Sequence, residues 1–453
     1  MRTVLIGNTR TEEMVGDLTA LSEQSREAAG HGAHRLLWWA REGDVLVLPT
    51  LPDEAFADYV TALTGTPRGS FTVLAPAPGR LGSGLLTPDR LADPALEDAL
   101  REALHGPGEH GRTAAPTGLR ITPVYPDATV ADLARRLGAE AALPGWAFHA
   151  QGGSALVNSK AAFRAVAAGA GVPIARGTVV NDRGEAVRAI ATLLDEGHCA
   201  IAKREFGGGG LGNEILTPAP GVEPAGAPRA VLLPDGPAID AYVADRWPWL
   251  TEGGRHRLVV EQYHVGAVPV YAEFVVADDR VDLTGTGEML TDPVVVGEIV
   301  PASARLTGEA TAELTAVGRH LCEAYRALGY RGTISADAYV TVRGEIRFCE
   351  ANGRITGSTH LHTAMAGRLL DPAVRRRRVL LGGECAAPPF PATAAALEEA
   401  GLGFDPASGT GVVLVNAFGP LTGAVMYCVI ADDVTGARAR QAELVPLLAK
   451  AAS

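Results

Sequence analysis

What this sequence has little of narrows it first. Its five cysteines (Cys199, Cys322, Cys349, Cys385, Cys428) are dispersed, odd in number and never spaced as Cys-x-x-Cys. Such a set excludes a disulfide framework and a thiolate zinc site, and points to a reducing compartment. No apolar run approaches the roughly 20 residues that span a bilayer, and residues 3–7 read directly as a strand with no leader-like apolar stretch ahead of them. Positive charge is in deficit. A net charge of −12 argues against general binding to nucleic acid or membrane, which needs a basic face. A cytoplasmic chain with neither partner is expected. The P-loop pattern Gly-x-x-x-x-Gly-Lys-Ser/Thr is missing, and the turn Gly7-Asn8-Thr9 after the first strand lacks a dinucleotide fingerprint.

What is present is an ordinary globular balance, 47% apolar and 20% charged over 453 residues, long enough for two to four domains. Residues 3–7, 44–48 and 71–75 read as strands. Helical spacing at 33–41 and 53–63 lies between them, which implies a parallel sheet covered on both faces. Residues 104–118 form a loop rich in glycine, proline and histidine. A strand at 121–125 and a short helix at 129–137 follow. Further helices are expected at 161–169, capped by Asn158 or Ser159, at 185–194, and at 309–328, which Gly329 ends. Strands are expected at 172–180, 257–263, 271–277 and 280–284. Residues 218–236 read as a surface excursion, the Trp247-Pro248-Trp249 patch as a core corner, and 388–391 as a linker. Near the C-terminal end come strands at 412–416 and 424–430, then a helix at 437–445 that Pro446 should end or kink.

Two stretches carry chemistry. Residues 200–212 read Ala-Ile-Ala-Lys-Arg-Glu-Phe-Gly-Gly-Gly-Gly-Leu-Gly. A short apolar strand carrying Lys203 opens into Gly207, Gly208, Gly209 and Gly210, a composition that no packed element favours. Either this is a flexible surface loop, or it lays backbone N–H groups against phosphate oxygens where a Cβ would intrude. Upstream, Lys160 sits in the first turn of a helix, where its charge opposes the dipole. The second stretch is a hairpin turning at Arg343-Gly344. Equal distance from that turn sets Asp337 opposite Glu350, and strand alternation puts Glu350, Asn352 and Arg354 on one side. Two facing carboxylates and an amide oxygen suit Mg²⁺ beside a nucleotide, and Arg354 suits a phosphate or acyl-phosphate oxygen. Cys349 should point to the opposite face. His360 and His362 are spaced to share a strand face, with substrate contact or packing as their role. The arginine run at 375–378 reads as a solvated helix end.

A lysine before a helix, a second lysine leading a glycine-rich loop, the strand Val-Val-Glu-Gln-Tyr at 259–263, then Asp337 and Glu350-Ala-Asn352 on a hairpin together resemble the ATP-grasp ligases over roughly residues 145–370. The resemblance implies an α/β chain, α+β in the grasp region. A pre-ATP-grasp, Rossmann-like parallel-sheet domain would occupy residues 1–148, an ATP-grasp domain 149–385 and a small C-terminal α/β domain 386–453. Its arrangement looks most like the peptide ligases of the pheganomycin type. Carried over by position, Lys160 and Lys203 would bind ATP phosphates, and Gly207, Gly208, Gly209 and Gly210 would close over them. Glu261, Gln262 and Tyr263 would form the adenine hinge, with Glu273 as ribose acid in competition with His264. Asp337, Glu350 and Asn352 would hold Mg²⁺. Some branches carry arginine two residues before the position of Asp337, where this chain has Ser335, so Arg354 or Arg305 would supply charge at the acyl phosphate. The implied activity joins a small-molecule carboxylate to a peptide amine, with homodimers common among such ligases. Another ATP-grasp activity, such as a carboxylase, and a non-catalytic ATP-binding protein are the rivals; no biotinyl Met-Lys-Met stretch is present.

Overall fold

The structure, a computed structural model, describes residues 2–105, 116–417 and 422–452. Most of the loop expected at 104–118 lies outside them. Strands β1 (Arg2–Ile6), β2 (Val45–Val47), β3 (Thr72–Leu74) and β4 (Leu119–Pro123) form a parallel sheet in the order β3-β2-β1-β4. Their side chains alternate between two cores. Val4, Ile6, Val45 and Val47 face Leu96, Leu100 and Val130, while Leu5, Leu46 and Leu48 face Trp38, Phe56 and Val60. Burial on both faces accounts for the unbroken apolar runs of a parallel sheet.

The second sheet is built from β5 (Gly177–Val180), β6 (Cys199–Arg204), β7 (Asn213–Thr217), β8 (Ala230–Leu232) and β9 (Leu258–Tyr263), in the order β5-β9-β6-β7-β8. All its pairs are antiparallel except β7 with β8. Helices Arg183–Asp195 and Gly236–Thr251 cover it. The stretch expected as a surface excursion thus contributes β8, and the tryptophan patch lies on a helix, with Trp247 and Leu250 buried in this core.

The third sheet is antiparallel and has eight strands. These are β10 (Val268–Val276), β11 (Val281–Thr291), β12 (Val295–Val300), β13 (Gly332–Val340), β14 (Ile346–Asn352), β15 (Val379–Ala386), β16 (Gly411–Ala417) and β17 (Ala424–Ala431), in the order β14-β13-β10-β11-β12-β15-β17-β16. The helix Gly308–Ala327 packs on it, with Gly318 against Phe274. β12 and β15 had no counterpart in the sequence reading. The C-terminal strands do not form a sheet of their own; β17 pairs with β15 and extends this one. They also reach the first sheet's core, since Trp38 Nε1 donates to Val415 O at 2.9 Å and Asn416 Nδ2 to His31 O at 2.9 Å.

Two proline readings need correction. Pro389 caps the helix Phe390–Glu399, and Pro391 sits in its first turn, where a missing N–H breaks no helical bond. The helix Val434–Ala452 runs through Pro446, held by the buried Leu444 and Leu448 on either side. Among the described residues no helix is long and apolar enough to cross a membrane.

Two buried histidines are held neutral. Burial, with His31 adding repulsion, lowers His34 to about 4, and burial lowers His149 to about 4, from an ordinary 6.5. The unfolded chain therefore binds more protons than the folded one between these values, so stability is full above pH 6.5 and declines as pH falls towards 4. The expected loss is up to about 3 kcal/mol per histidine. Urea midpoints measured from pH 7 to pH 4 should fall on that side, and neither imidazole should titrate above pH 5 by NMR.

Candidate functional site

The cleft that the second and third sheets enclose, closed at one end by the loop after β1, holds about 920 Å³. Lys160, Lys203, the glycine loop, Glu261, Gln262, Tyr263, Asp337, Glu350, Asn352 and Arg354 all line it. With His264, which lines it too, all the candidates for the nucleotide, metal and acyl-phosphate roles except Glu273 and Arg305 meet in one space.

Ser159 starts the helix Lys160–Gly169, its Oγ accepting from Ala162 N at 3.0 Å. Asn158, the other candidate cap, instead accepts from Arg354 Nη1 at 2.6 Å. Lys160 tolerates the unfavourable end of its helix because its charge is used across the cleft. Its Nζ donates to Gly207 O at 2.8 Å and lies 3.0 Å from Glu350 Oε2. Lys203, on β6, is buried and pairs with Glu261 Oε2 at 2.5 Å on the adjacent β9. Although burial opposes its charge, Glu261 raises the Lys203 ammonium above its ordinary range. Arg164 pairs with the other oxygen of Glu261. That carboxylate is saturated by protein cations, so any adenine-hinge contact falls to the backbone around it.

The glycine loop is docked. Gly209 and Gly210 adopt φ of +66° and +84°, and a Cβ on Gly210 would come within 2.7 Å of Gly226 O. Gly226 is fixed in turn, accepting from Asn213 Nδ2 at 2.9 Å and donating to Pro293 O at 2.7 Å. Only glycine allows that left-handed path so close to another backbone.

On the third sheet Asp337 does pair with Glu350, but the turn alone does not set this. Ala338 faces Phe348, Tyr339 faces Arg347, and a bulge between Asp337 and Ala338 then brings Glu350 into place. The residue skipped is Cys349, so it does not turn away as expected. It lines the cleft, its Sγ 3.5 Å from Asp337 O, and burial pushes its thiol up. Asn352 Nδ2 donates to Asp337 Oδ2 at 2.8 Å and Ser335 Oγ to Asp337 Oδ1 at 2.6 Å. Burial first, and then the charge of Glu350, raises Asp337; burial works against the ionised Glu350, but Lys160, Lys203 and Arg354 hold it low.

Among the described residues no group of three His, Cys, Asp or Glu side chains is placed to hold a metal ion by itself. The donor set here is two carboxylates and an amide. Magnesium, which takes one or two protein carboxylates and fills its shell with phosphate and water, suits such a set. The raised Asp337 shows an uncompensated pair that a cation would relieve.

Two candidates fall outside the lining. Glu273 is fully buried, accepting from Thr356 Oγ1 at 2.9 Å and Thr359 Oγ1 at 2.6 Å, with His362 Nε2 3.2 Å away. It is enclosed by the fold, outside the cleft lining, and does not present to a ribose. Arg305 is half exposed and pairs with Glu288 Oε2 at 3.4 Å, away from the cleft, which leaves Arg354 as the arginine beside the hairpin. His360 and His362 lie on a π-helix (His360–Met365), not a strand; His360 packs against Trp39 with ring centres 4.5 Å apart. Nor is the arginine run wholly solvated: Arg375 Nη1 donates to His362 O at 3.1 Å and Arg378 Nη2 to Ser408 O at 2.5 Å.

Sequence reading missed Arg10, Arg35, Tyr271 and Glu298, which also line the cleft. A signal for Arg10 existed, because loops following parallel strands are where such sheets hold ligands. Asn8 in that turn is structural, its Nδ2 donating to Tyr125 O at 2.6 Å, and the next residues face the cleft. A second signal was compositional. The chain has three lysines, Lys160, Lys203 and Lys450, among 40 basic residues, and the first two are in this site.

A parallel-sheet domain followed by two antiparallel sheets closing on a lysine- and glycine-lined cleft defines an ATP-grasp fold with its pre-grasp domain. The family model described as Pre ATP-grasp domain matches residues 33–139, and the one described as PGM1 C-terminal domain matches residues 392–444. No curated protein matches the chain. Biotin carboxylase from Campylobacter jejuni, solved as a β-γ-ATP complex, shares the fold with a TM-score of 0.58 and 14% identity, covering 98% of this chain and 91% of that one. N5-carboxyaminoimidazole synthase from Aspergillus clavatus, solved with ADP and 5-aminoimidazole ribonucleotide, gives 0.55 and 12%, covering 99% and 98%. The biotin carboxylase domain dimer of Hydrogenobacter thermophilus 2-oxoglutarate carboxylase, solved with MgADP, ADP and bicarbonate, gives 0.57 and 15%, covering 98% and 89%.

The Glu261 bridge is testable without any ligand. Glu261→Ala leaves Arg164 and Lys203 buried without their counter-charge, and should cost about 3–5 kcal/mol of unfolding free energy. Urea denaturation of the purified variant measures this, and a loss below about 1 kcal/mol would show that the bridge is not structural.

Proposed function

We propose that this chain is an ATP-dependent carboxylate–amine ligase that forms an amide through an acyl phosphate. The observation that carries this reading is the convergence of Asp337, Glu350 and Asn352 with Lys160, Lys203, Arg354 and the glycine loop in one cleft. ADP- and ATP-type ligands and MgADP in structures of the same fold support it.

Lys160 and Lys203 would bind phosphate oxygens from the floor of the cleft, and the N–H groups of Gly207, Gly208, Gly209 and Gly210 would cover them from above. The backbone of Glu261, Gln262 and Tyr263 would border the adenine. Asp337, Glu350 and Asn352 would hold Mg²⁺, which supplies charge neutralisation for phosphoryl transfer. The carboxylate substrate attacks the γ-phosphorus and ADP leaves; the amine then attacks the acyl carbon and phosphate leaves. Arg354, anchored by Asn158 and within reach of the loop at Gly208, stands where charge develops on the acyl phosphate. No protein nucleophile is required, and Cys349, whose thiol stays protonated, supplies none.

For substrates, the reading is a nonproteinogenic, guanidino-type amino acid joined to a peptide amine in antibiotic biosynthesis. Its support is the likeness to pheganomycin-type peptide ligases in the order of motifs and the presence of a C-terminal segment. Glu350→Gln keeps the size of the side chain while removing one metal-binding charge. It should lower phosphate release from ATP, assayed against pools of carboxylates and peptides, by about a thousandfold or more with an unchanged circular dichroism spectrum. Turnover within about tenfold of the parent would overturn the assignment of the hairpin.

A further inference from the structure

Positive charge remains in the cleft that this chemistry leaves unused. Arg10 follows β1, and Arg35 lies in the 3-10 turn His34–Trp39; both side chains line the cleft. Among the described residues neither guanidinium has a hydrogen bond or ion pair with the protein, and Arg35 Nε is buried without a partner. Arg90 and Arg164, buried in the fold, are by contrast engaged by it. Arg90 donates to five backbone carbonyls, those of Ala77, Ser83, Leu85, Pro49 and Pro76, and Arg164 is held by Glu261, Ala175 and Gly177. Arg10 and Arg35 repel each other, and Arg354 repels Arg10, so burial and like charge together lower both guanidiniums from their ordinary range. A carboxylate, Glu298, also lines the cleft. It acts on Arg35 but lies beyond ion-pair distance, and it accepts from Tyr271 OH at 2.6 Å.

Unpaired guanidiniums facing a cavity are costly unless an anion completes them. In the ligase reading, the carboxylate that becomes an acyl phosphate would meet Arg354, and its own charge is consumed in the reaction. The acceptor poses a different problem. A plain ammonium would be repelled by this row, whereas an amine that carries its own anion would be drawn in and turned towards Arg354. The same positive field favours the amine's neutral, nucleophilic form.

We propose that Arg10 and Arg35 form an anion subsite for a carboxylate or phosphate borne by the amine substrate, so that the acceptor is an anionic amine such as a short peptide with a free C-terminus. This rests on the ligase reading. In the step it serves, the acceptor nitrogen forms the C–N bond, the C–O bond to phosphate breaks, phosphate leaves with that electron pair, and the nitrogen loses its proton to solvent.

The test is thermal stabilisation of the full chain preloaded with MgADP. The probes are an equimolar pool of Ala-Xaa dipeptides as free acids, the same pool as C-terminal amides, and 2-aminoethyl phosphate. The free-acid pool should raise the midpoint and the amide pool should not; a response to 2-aminoethyl phosphate alone would assign the anion as phosphate. Arg35→Gln and, independently, Arg10→Gln should each weaken the response by about tenfold or more while the shift from MgADP itself is unchanged. Equal responses to acid and amide, variants that respond as the parent does, or no response to any probe would overturn the subsite. Absence of any MgADP shift in the parent would overturn the ligase reading, and the subsite with it.

Discussion

Two carboxylates side by side on neighbouring strands, Asp337 buried and Glu350 partly so, are the constraint around which this cleft is organised. Asp337 and Glu350 cannot both hold their charge there without help. The chain divides that help between elements far apart in sequence. Lys160 reaches Glu350 from the start of a helix, Asn352 and Ser335 donate to Asp337, and Lys203 and Arg354 add charge from two further directions. Three of these groups are themselves positioned by a second partner. Glu261 fixes Lys203, Asn158 fixes Arg354, and the carbonyl of Gly207 fixes Lys160. The acid pair is therefore only partly compensated before any ligand enters; a divalent cation would complete the compensation, and a polyanion arriving with it would meet the cations that surround the pair.

Much of this was legible in the sequence because it rests on local rules. The alternation of strand and helix gave the parallel sheet, the glycine run and its lysine gave the loop, and the hairpin composition gave the pair of acids. The pairing of Asp337 with Glu350 was right for an incomplete reason, since an even count from the turn ignores the bulge at Cys349. A bulge leaves no reliable mark in composition, and it alone turned Cys349 into the cleft. Glu273 shows a different limit. Its place on a strand was readable, yet what encloses its carboxylate is Thr356, Thr359 and His362, more than eighty residues later for the two threonines. Arg10 and Arg35 were missed because one follows a turn with no ligand fingerprint and the other sits in a short helical segment; only the third dimension brings both to the wall of one cleft.

Basic side chains divide by task. Outside the cleft, arginine is the structural cation, bridging loops to carbonyls as Arg90 does or tying distant segments together as Arg368 does with Ala40 and Thr66. Its planar fork suits several fixed acceptors at once, whereas an ammonium is a compact point charge that can follow a moving group. In a chain this rich in arginine, finding lysine at both cleft positions is a chemical choice more than a compositional accident.

The contact between Trp38 and Val415, and the core that Leu36, Leu37 and Phe56 share with β16 and β17, join segments separated by 377 residues at the tryptophan bond. During synthesis at a ribosome, the apolar layer of Leu36, Leu37, Trp38 and Phe56 that covers one face of the parallel sheet would lack its outer partners until β16 and β17 had emerged. Until then the opening domain would wait as an incompletely packed, adhesive intermediate. Closing such a long loop is entropically slow, and the completion of this protein then depends on its final strands arriving in time to seal its first.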